Sequence, residues 1–344
     1  MSEAASPTPA PDGTLFRGST LVDLLRWRAD TLPKERVFLF LNNGEEEGEE
    51  FSYAELDRRA RAIGTLLQSD TPAGERALLL YPPGLDFIAA FFGSLYAGLI
   101  AVPAYPPHPA RLKQLLPGFC ALIADAQPAV VLTESKFLAK AREIFAAAPE
   151  LGRIRWIATD ETLPPDEGGD AAWMPPALTS ESIAFLQYTS GSTALPKGAM
   201  VSHRNVFHNE RMIQAAFRLE GTDQCGVGWL PLYHDMGLIG NVFAPLYNAA
   251  PMVLMPPAAF LQRPVRWLQA ITRYRATTSG GPNFAYELCT ERITAEQKQV
   301  LDLSRWKVAF NGAEPIRKET LDRFTEAFES CGFRAETFCP CYGL

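Results

Sequence analysis

A run of small hydroxyl-bearing residues, Tyr188–Gly198, is the part of the sequence best suited to chemistry. It holds four Ser or Thr hydroxyls, two glycines and one lysine, and it follows Ile183–Leu186, an apolar segment that predicts a buried strand. Glycine lets the backbone approach an anion closely, and successive N–H groups form a concave nest around it. Lys197 adds a positive charge for outer phosphates. The segment therefore predicts a phosphate-binding loop.

Two alternatives for this loop fit less well. The P-loop of nucleoside triphosphatases needs Gly-Lys followed by Ser or Thr, whereas here Pro196 precedes Lys197 and Gly198 follows it. A flexible Ser/Thr/Gly-rich linker is the structurally neutral alternative. Because linkers rarely follow a buried strand or carry Pro-Lys-Gly, phosphate binding is the preferred hypothesis.

The segment Trp229–Gly237 places His234 and Asp235 directly after a predicted strand that ends at Pro231. A histidine in a polar loop can contact a substrate, gate a channel or balance a carboxylate. A lone histidine can equally be a structural residue, and the sequence leaves these alternatives open.

Two glycine-containing segments, Ser279–Phe284 and Asn311–Pro315, are further candidates for ligand contact. The first has two glycines before a proline at a predicted helix start, which favours a tight turn over close approach to a ligand. The second follows the predicted strand Lys307–Phe310, and its small residues can line a flat ring or form an ordinary turn. Because ligands of open parallel sheets bind at the carboxyl ends of strands, this loop and the phosphate loop are expected to converge.

Composition narrows the function classes. The 344 residues are 47% hydrophobic, enough for a large core in two or three domains, and the net charge of -7 comes without a Lys/Arg cluster for nucleic acid. The acidic run Glu45–Glu50 predicts a solvated hairpin loop. The six cysteines include no Cys-x-x-Cys, and Cys339 and Cys341 have no nearby histidine. We therefore expect buried thiols in a reducing cytoplasm and no metal-ligating residues.

Neither the N-terminus nor the most apolar segment predicts a membrane anchor. Met1–Gly13 is rich in Ala, Pro, Ser and Thr and lacks the regions of a signal peptide, which predicts a disordered tail over 1–17. The apolar run Phe87–Val102 is short for a membrane span and is interrupted by two glycines. It predicts a buried helix that runs into a buried strand.

Short apolar segments alternate with helical patterns along the chain. Ser52 and Glu55 form a capping-box pattern before an amphipathic helix that ends near Gln68. Strands are predicted at 76–81, 99–103, 129–133, 154–158, 252–255 and 307–310, and helices at 111–126, 205–217, 265–274 and 316–328. This alternation predicts an α/β fold with mostly parallel sheets covered on both faces. We expect one subdomain over 73–222, with the phosphate loop 188–198, and a second over 18–72 plus 223–344.

The phosphate loop followed by Met200–His203 resembles the signature of the adenylate-forming enzymes, which include acyl-CoA synthetases, luciferases and peptide-synthetase adenylation domains. Within that superfamily the chain most resembles the fatty acyl-AMP ligases, on the segments Gly228–Ile239, Ser279–Tyr286 and Asn311–Pro315. The resemblance extends from about Thr20 to the last residue. It implies an α/β fold of two stacked, mostly parallel sheets flanked by helices.

The resemblance implies a two-step reaction that uses ATP and Mg²⁺. A fatty acid carboxylate attacks the α-phosphorus of ATP, which gives acyl-AMP and pyrophosphate, and a thiol then takes the acyl group. In fatty acyl-AMP ligases that thiol is the phosphopantetheine arm of an acyl carrier protein of a polyketide or non-ribosomal peptide pathway. A fatty acyl-CoA synthetase and a non-catalytic acyl- or nucleotide-binding module are the alternatives.

Site residues follow from the same resemblance. It implies that Thr189–Thr193 and Lys197 hold the outer phosphates, that His234 lies between acyl carboxylate and nucleotide, and that Tyr342 stacks on adenine. Ala194 stands where many members carry glycine. The catalytic residues are then Thr193, Lys197 and His234; the nucleotide-binding residues are Thr189, Ser190, Gly191, Ser192, Thr193, Lys197, Asn311, Gly312, Ala313, Glu314, Tyr342 and Gly343; the acyl-binding residues are Trp229, His234, Asp235, Met236, Gly237, Ser279, Gly280 and Gly281.

The resemblance also concerns the end of the sequence. In the family the motif that begins Tyr342-Gly343-Leu344 continues into a glutamate that contacts Mg²⁺, and later into a mobile domain with a catalytic lysine. The sequence ends before both. We expect an N-terminal portion that lacks the C-terminal lid domain and adenylates poorly alone.

Overall fold

Two β-sheets organise the chain into two units. The structure, a computed structural model, describes residues 7–10, 13–107, 112–148, 151–162, 173–189, 196–219 and 223–343. The six-stranded unit consists of Phe16–Lys34 and Tyr53–His208, and the seven-stranded unit consists of Met1–Leu15, Glu35–Ser52 and Asn209–Leu344.

The elements alternate between strand and helix over most of the described chain. The strands are β1 Arg36–Leu41, β2 Glu47–Ser52, β3 Arg76–Leu79, β4 Ile100–Pro103, β5 Val130–Thr133, β6 Arg155–Ala158, β7 Ile183–Thr189, β8 Lys197–Ser202, β9 Gly226–Gly228, β10 Met252–Leu254, β11 Thr278–Gly281, β12 Val308–Asn311 and β13 Phe338–Pro340. The helices are α1 Leu21–Thr31, α2 Tyr53–Gln68, α3 Leu85–Tyr96, α4 Leu112–Ala126, α5 Ser135–Ala147, α6 Thr159–Thr162, α7 His203–Phe217, α8 Asp235–Leu238, α9 Ala244–Asn248, α10 Pro257–Gln262, α11 Val265–Arg273, α12 Asn283–Arg292, α13 Ala295–Lys298 and α14 Lys318–Phe328, with a π-helical turn at Ile239–Phe243.

Both sheets are mostly parallel, as expected. The six-stranded sheet has the order β6-β5-β3-β4-β7-β8, and its antiparallel pair is β7–β8. The seven-stranded sheet has the order β13-β12-β11-β9-β10-β1-β2, and its antiparallel pair is β1–β2. Parallel strands need long crossover connections, so the strand–helix alternation of the sequence produces this topology.

The subdomain boundaries differ from the sequence-based prediction at α1 and α2, which lie in the six-stranded unit. The reason is packing of α2 on the apolar helix α3. Tyr96 donates a hydrogen bond to Asp57 at 2.5 Å, and a Cβ built on Gly93 would lie 2.4 Å from the side chain of Ile63. The boundary predicted at 222 also differs, because the last segment of the seven-stranded unit starts at Asn209, within α7.

The predicted disordered tail is wrong for the described part of 1–17. The backbone N–H of Thr8 donates to the carbonyl of Tyr247 at 3.1 Å, and Ala10 is buried. Phe16 stacks on Phe207 with ring centroids 5.6 Å apart. Apolar burial therefore orders this Ala/Pro-rich stretch despite its composition, while residues 1–6 and 11–12 lie outside the described part of the chain.

The acidic run at 45–50 is not simply a loop, because most of it forms the edge strand β2. Two of its exposed carboxylates are paired with arginines that lie in α11 or just before it. Glu45 accepts hydrogen bonds from Arg266 at 2.8 Å and from Arg263 at 3.1 Å, and Glu47 accepts from Arg273 at 2.7 Å. Charges suit an edge strand because they discourage pairing with another chain.

Within the described residues, no helix combines the length and apolar character needed to cross a membrane. The apolar run Phe87–Val102 divides into α3 and β4, as predicted.

Glu210 in α7 is an acid buried without a partner. It is 1% exposed, and neither carboxylate oxygen has a hydrogen-bond partner among the described residues. Burial raises its pKa well above the ordinary value. A raised folded-state pKa stabilises the protein fully below the unfolded-state pKa, and this contribution is lost as pH rises through the folded-state pKa.

We expect Glu210→Gln to be more stable than the parent at pH 8 and little different near pH 4. One proton limits the slope of this difference to about 1.4 kcal/mol per pH unit. Urea unfolding across that pH range measures it, with Glu326→Gln, an exposed glutamate of α14, as the matched control. A difference that does not change with pH would contradict the assignment.

Candidate active site

Four loops of the seven-stranded unit leave the same edge of its sheet. Strands β9, β11, β12 and β13 are mutually parallel, so their carboxyl ends lie together. The segments that follow are 229–237, 282–284, 312–315 and 341–343. Ligands of open parallel sheets bind at this edge, and most of the predicted site residues lie on it.

The loop after β13 closes onto the loops after β12 and β9. The N–H of Cys341 donates to the carbonyl of Asn311 at 2.8 Å. A Cβ built on Gly312 would lie 2.6 Å from the Cys341 carbonyl oxygen, and one built on Gly343 would lie 3.1 Å from Oδ2 of Asp235. The structure therefore brings together segments that are more than a hundred residues apart in sequence.

His234 is positioned by a tight turn before the short helix α8. It is the N-cap residue of α8, with extended backbone angles of φ -91° and ψ 142°, and its N–H donates to the Pro231 carbonyl at 3.1 Å. A Cβ on Gly237 would lie 2.1 Å from that same carbonyl oxygen. Glycine is therefore required at 237 for the turn that presents His234.

The His234 ring is held by the neighbouring carboxylate. Its Nδ1 lies 2.6 Å from Oδ1 of Asp235 and 3.3 Å from the N of Met236, which donates to the same Asp235 oxygen at 2.6 Å. One ring nitrogen cannot donate and accept at once, and the short contact with an anion assigns a proton to Nδ1. The hydrogen bond to Asp235 raises the pKa of His234, against the opposing effect of burial. The side chain is 49% exposed, which leaves Nε2 free to meet a ligand.

We expect Asp235→Asn to lower the pKa of His234 toward its ordinary value of about 6.5. The raised pKa of the parent favours the folded state below the unfolded-state pKa, and that contribution fades as pH rises through the folded-state pKa. An NMR titration of the histidine Cε1–H signals measures the change. His203, whose pKa burial lowers to about 4, is the internal reference. A His234 midpoint that does not move would contradict the pairing.

Glu314 acts as a helix cap in this structure. Its Oε1 accepts a hydrogen bond from the N–H of Phe284 at 2.6 Å, in the first turn of α12. Ala313 before it has φ +65°, a left-handed conformation that non-glycine residues seldom adopt. The loop 312–315 is thus tied to the start of α12, which explains its sharp turn.

Asn311 is buried, and neither atom of its amide has a partner among the described residues. Buried amides are nearly always hydrogen-bonded, and an exception calls for an explanation such as a missing ligand or water. Tyr342, which lies beside Gly343 in the loop after β13, is 99% exposed. An orphan amide and an exposed aromatic ring at this edge are features suited to a ligand.

The segment Ser279–Gly281 is the end of the interior strand β11, so the predicted turn is wrong. The Ser279 hydroxyl donates to the Val227 carbonyl at 2.6 Å and accepts from Trp267 Nε1 at 2.7 Å, so it is used inside the sheet. A Cβ on Gly280 would lie 2.2 Å from the Phe310 carbonyl oxygen. Close strand packing therefore explains Ser279 and Gly280 without a ligand.

Gly281 makes room for a large ring. A Cβ there would lie 2.7 Å from Trp229, which stacks on Phe260 with centroids 4.0 Å apart. Trp229 is buried, and its Nε1 has no partner among the described residues. Met236 packs at the margin of the same apolar cluster.

The predicted phosphate loop lies only partly within the described residues. Thr189 ends β7 and pairs in register with Lys197 at the start of β8, and Lys197 is exposed. Tyr188 donates to Asp125 at 2.5 Å. Ser190, Gly191, Ser192, Thr193 and Ala194 lie outside the described residues, so their predicted roles stay predictions.

A cavity of about 30 Å³ lies beside the first residues of β9, β10 and β11. Its apolar lining includes Leu219, Val227, Ala244, Pro245, Met252 and Phe310, and Asn241 also faces it. No motif or periodicity in the sequence predicted this cavity. The available signal was the pair Gly226 and Gly228, because a strand without side chains on one face leaves space beside it.

A family match decides the assignment. Residues 25–344 match the family of AMP-binding enzymes. The chain belongs to that family. It is 48% identical over 327 residues to a medium-chain-fatty-acid–[acyl-carrier-protein] ligase of Moorena producens, a match that covers 95% of this chain and 55% of that protein. It is 37% identical over 348 residues to a long-chain-fatty-acid–AMP ligase of Mycolicibacterium smegmatis, covering 97% and 52%.

A solved structure agrees with this membership of the AMP-binding enzymes. A fatty acyl-adenylate ligase from L. pneumophila, in complex with acyl adenylate and pyrophosphate, superposes with a TM-score of 0.86 at 44% identity. That match covers 95% of this chain and 55% of the other. The chain therefore spans about half the length of these curated relatives and of this solved structure.

The sheet edge of this AMP-binding enzyme presents two groups that a nucleotide could contact. The amide of Asn311 has no partner among the described residues, and the ring of Tyr342 is 99% exposed. Among the described residues, no three His, Cys, Asp or Glu side chains cluster as metal ligands. Mg²⁺ commonly reaches such sites on substrate phosphates.

Proposed function

We propose that the protein activates a fatty acid as its acyl-adenylate and passes the acyl group to the phosphopantetheine thiol of an acyl carrier protein. The observation that carries the proposal is the meeting of 311–312, 341–343 and the His234–Asp235 pair at one sheet edge, in a chain of the AMP-binding family. The names of the Moorena producens and Mycolicibacterium smegmatis relatives support the fatty acid and carrier-protein parts.

In the first step a carboxylate oxygen of the fatty acid attacks the α-phosphorus of ATP. The new P–O bond forms as the bond to the β-phosphate oxygen breaks, and pyrophosphate leaves with its charge. Such transfers depend on positioning and electrostatics more than on covalent chemistry. Lys197 and the phosphate loop would hold the outer phosphates, and ATP brings its Mg²⁺.

His234 suits the junction between the two reactants. Because Asp235 raises its pKa, the ring carries positive charge to higher pH than an isolated histidine. A cationic donor at that point would attract the carboxylate and offset charge that develops on the α-phosphate. Asn311, Gly312 and Tyr342 would accommodate the adenine, and the apolar cavity would take the end of the acyl chain.

The direct test is calorimetry with octanoyl sulfamoyl adenosine, a non-hydrolysable acyl-adenylate mimic. We expect saturable binding to this chain that is tighter than that of ATP or octanoate alone. Failure of all three to bind would refute the proposal. Fatty-acid-dependent exchange of labelled pyrophosphate into ATP then tests the first half-reaction, and mass spectrometry of carrier protein and coenzyme A identifies the acceptor.

A further inference from the structure

Asn241 is an unsatisfied polar side chain in the wall of the apolar cavity. It is 0% exposed, and neither its Nδ2 nor its Oδ1 has a hydrogen-bond partner among the described residues. Asn248 lines the same cavity but is fully engaged, since its Nδ2 donates to the Ala244 carbonyl and its Oδ1 accepts from Gln214, both at 2.8 Å. Of these two asparagines, only Asn241 has an amide without a partner among the described residues.

The local backbone and the neighbouring glycine make room for the side chain of Asn241. It lies in the π-helical turn Ile239–Phe243, a distortion that often occurs at functional sites. A Cβ on Gly228 would lie 2.6 Å from Asn241 Nδ2 and 2.5 Å from the end of Met252. Glycine in β9 thus admits both side chains, and the flexible Met252 can adjust the cavity to its contents.

We propose that the cavity selects an acyl chain that carries a hydroxyl group, which hydrogen-bonds to the amide of Asn241. This inference rests on the proposed function, because it requires the fatty chain to enter the cavity. One hydroxyl can donate to Oδ1 and accept from Nδ2, so it gives each of the two amide atoms a partner.

Other substituents fit the lining less well. A ketone only accepts, and it leaves Oδ1 unsatisfied. A carboxylate or ammonium group would be buried without a countercharge from the described part of the lining, which contains no Asp, Glu, Lys or Arg. An unsubstituted chain leaves both amide atoms unpaired, and a site built to bind a hydroxyl discriminates strongly against its absence.

The test compares octanoyl sulfamoyl adenosine with a series of analogues that carry one hydroxyl at successive carbons of the chain. For the parent chain we expect one position to bind roughly tenfold or more tighter than the unsubstituted mimic by calorimetry. Asn241→Leu, which is similar in size, should lose that preference. Asn248→Leu is the matched control from the same cavity and should retain the preference, whatever its effect on stability.

The outcomes separate the two proposals. If every analogue binds the parent equally, or the unsubstituted mimic binds best, the hydroxyl inference is overturned while acyl-adenylate binding stands. This is also the result expected if a water molecule satisfies Asn241. If no mimic binds, the proposed function fails and the inference fails with it. Because the parent alone gives these results, the test holds even if Asn241→Leu does not fold.

Discussion

Gly237→Ala is expected to destabilise the seven-stranded unit and to displace His234. The added methyl would lie 2.1 Å from the Pro231 carbonyl oxygen and 3.2 Å from that of Leu230. Both neighbours are backbone, so relief requires movement of the turn that carries His234. Overpacking of this kind costs about 1–3 kcal/mol and occasionally more. Under the proposed function, displacement of His234 should also reduce pyrophosphate exchange roughly a hundredfold.

Gly240→Ala is the matched control, three residues along the same segment. Its added Cβ would have Phe310 as a neighbour at 3.9 Å, an ordinary contact. Urea unfolding should therefore show a large loss of stability for Gly237→Ala and a small change for Gly240→Ala. Equal effects of the two substitutions would mean that general helix propensity, and not the Pro231 contact, controls the outcome.

Asn311→Leu is expected to change stability and binding in opposite directions. Removal of a buried amide without partners should raise the free energy of unfolding by about 1–3 kcal/mol. If the amide is reserved for the nucleotide, the same substitution should weaken ATP binding at least about tenfold. Urea unfolding and calorimetry with ATP measure the two effects.

Asn283→Leu gives the comparison, because this buried asparagine is satisfied. Its Nδ2 donates to Thr320 at 3.1 Å, and its Oδ1 accepts from the N–H of Arg317 at 3.0 Å. We expect this substitution to lower stability by about 1–3 kcal/mol. If Asn311→Leu also lowers stability and leaves ATP binding unchanged, Asn311 is a structural residue.

The two orphan amides, Asn241 and Asn311, lie in the same unit at a cost to its stability. An apolar residue at either position would avoid a buried unsatisfied group. Proteins commonly accept such costs at functional positions. The binding measurements on Asn241→Leu and Asn311→Leu therefore decide whether ligands satisfy these two amides.

Several elements were predictable because their signals are local. The amphipathic pattern that begins at Tyr53 and ends near Gln68 matches α2. Alternating apolar strands and helices predicted mostly parallel sheets, and the hydroxyl-rich segment was sufficient for the family resemblance that the match over 25–344 confirms. Propensity and periodicity act within a few residues, so one sequence carries them in full.

Other features were not predicted from the sequence, because the residues that cause them lie far apart along the chain. The glycines of β11 favour a turn on local pattern alone, but they serve close strand packing, because a Cβ built on Gly280 would lie 2.2 Å from the Phe310 carbonyl oxygen. The acidic run predicted a loop on composition, but antiparallel pairing with β1 makes most of it an edge strand. Assignment of α2 to the six-stranded unit depends on its packing against α3, which no local pattern encodes.

The sequence by itself determined the chemistry class and the residue types available for it, because motif and periodicity are properties of neighbouring residues. Only the tertiary structure decided which of those residues meet. It placed Asp235 beside Gly343, assigned Ser279 to the sheet and left Asn241 and Asn311 without partners among the described residues. Strand order in the parallel sheet and side-chain packing decide these contacts, because both bring together segments that are distant in sequence.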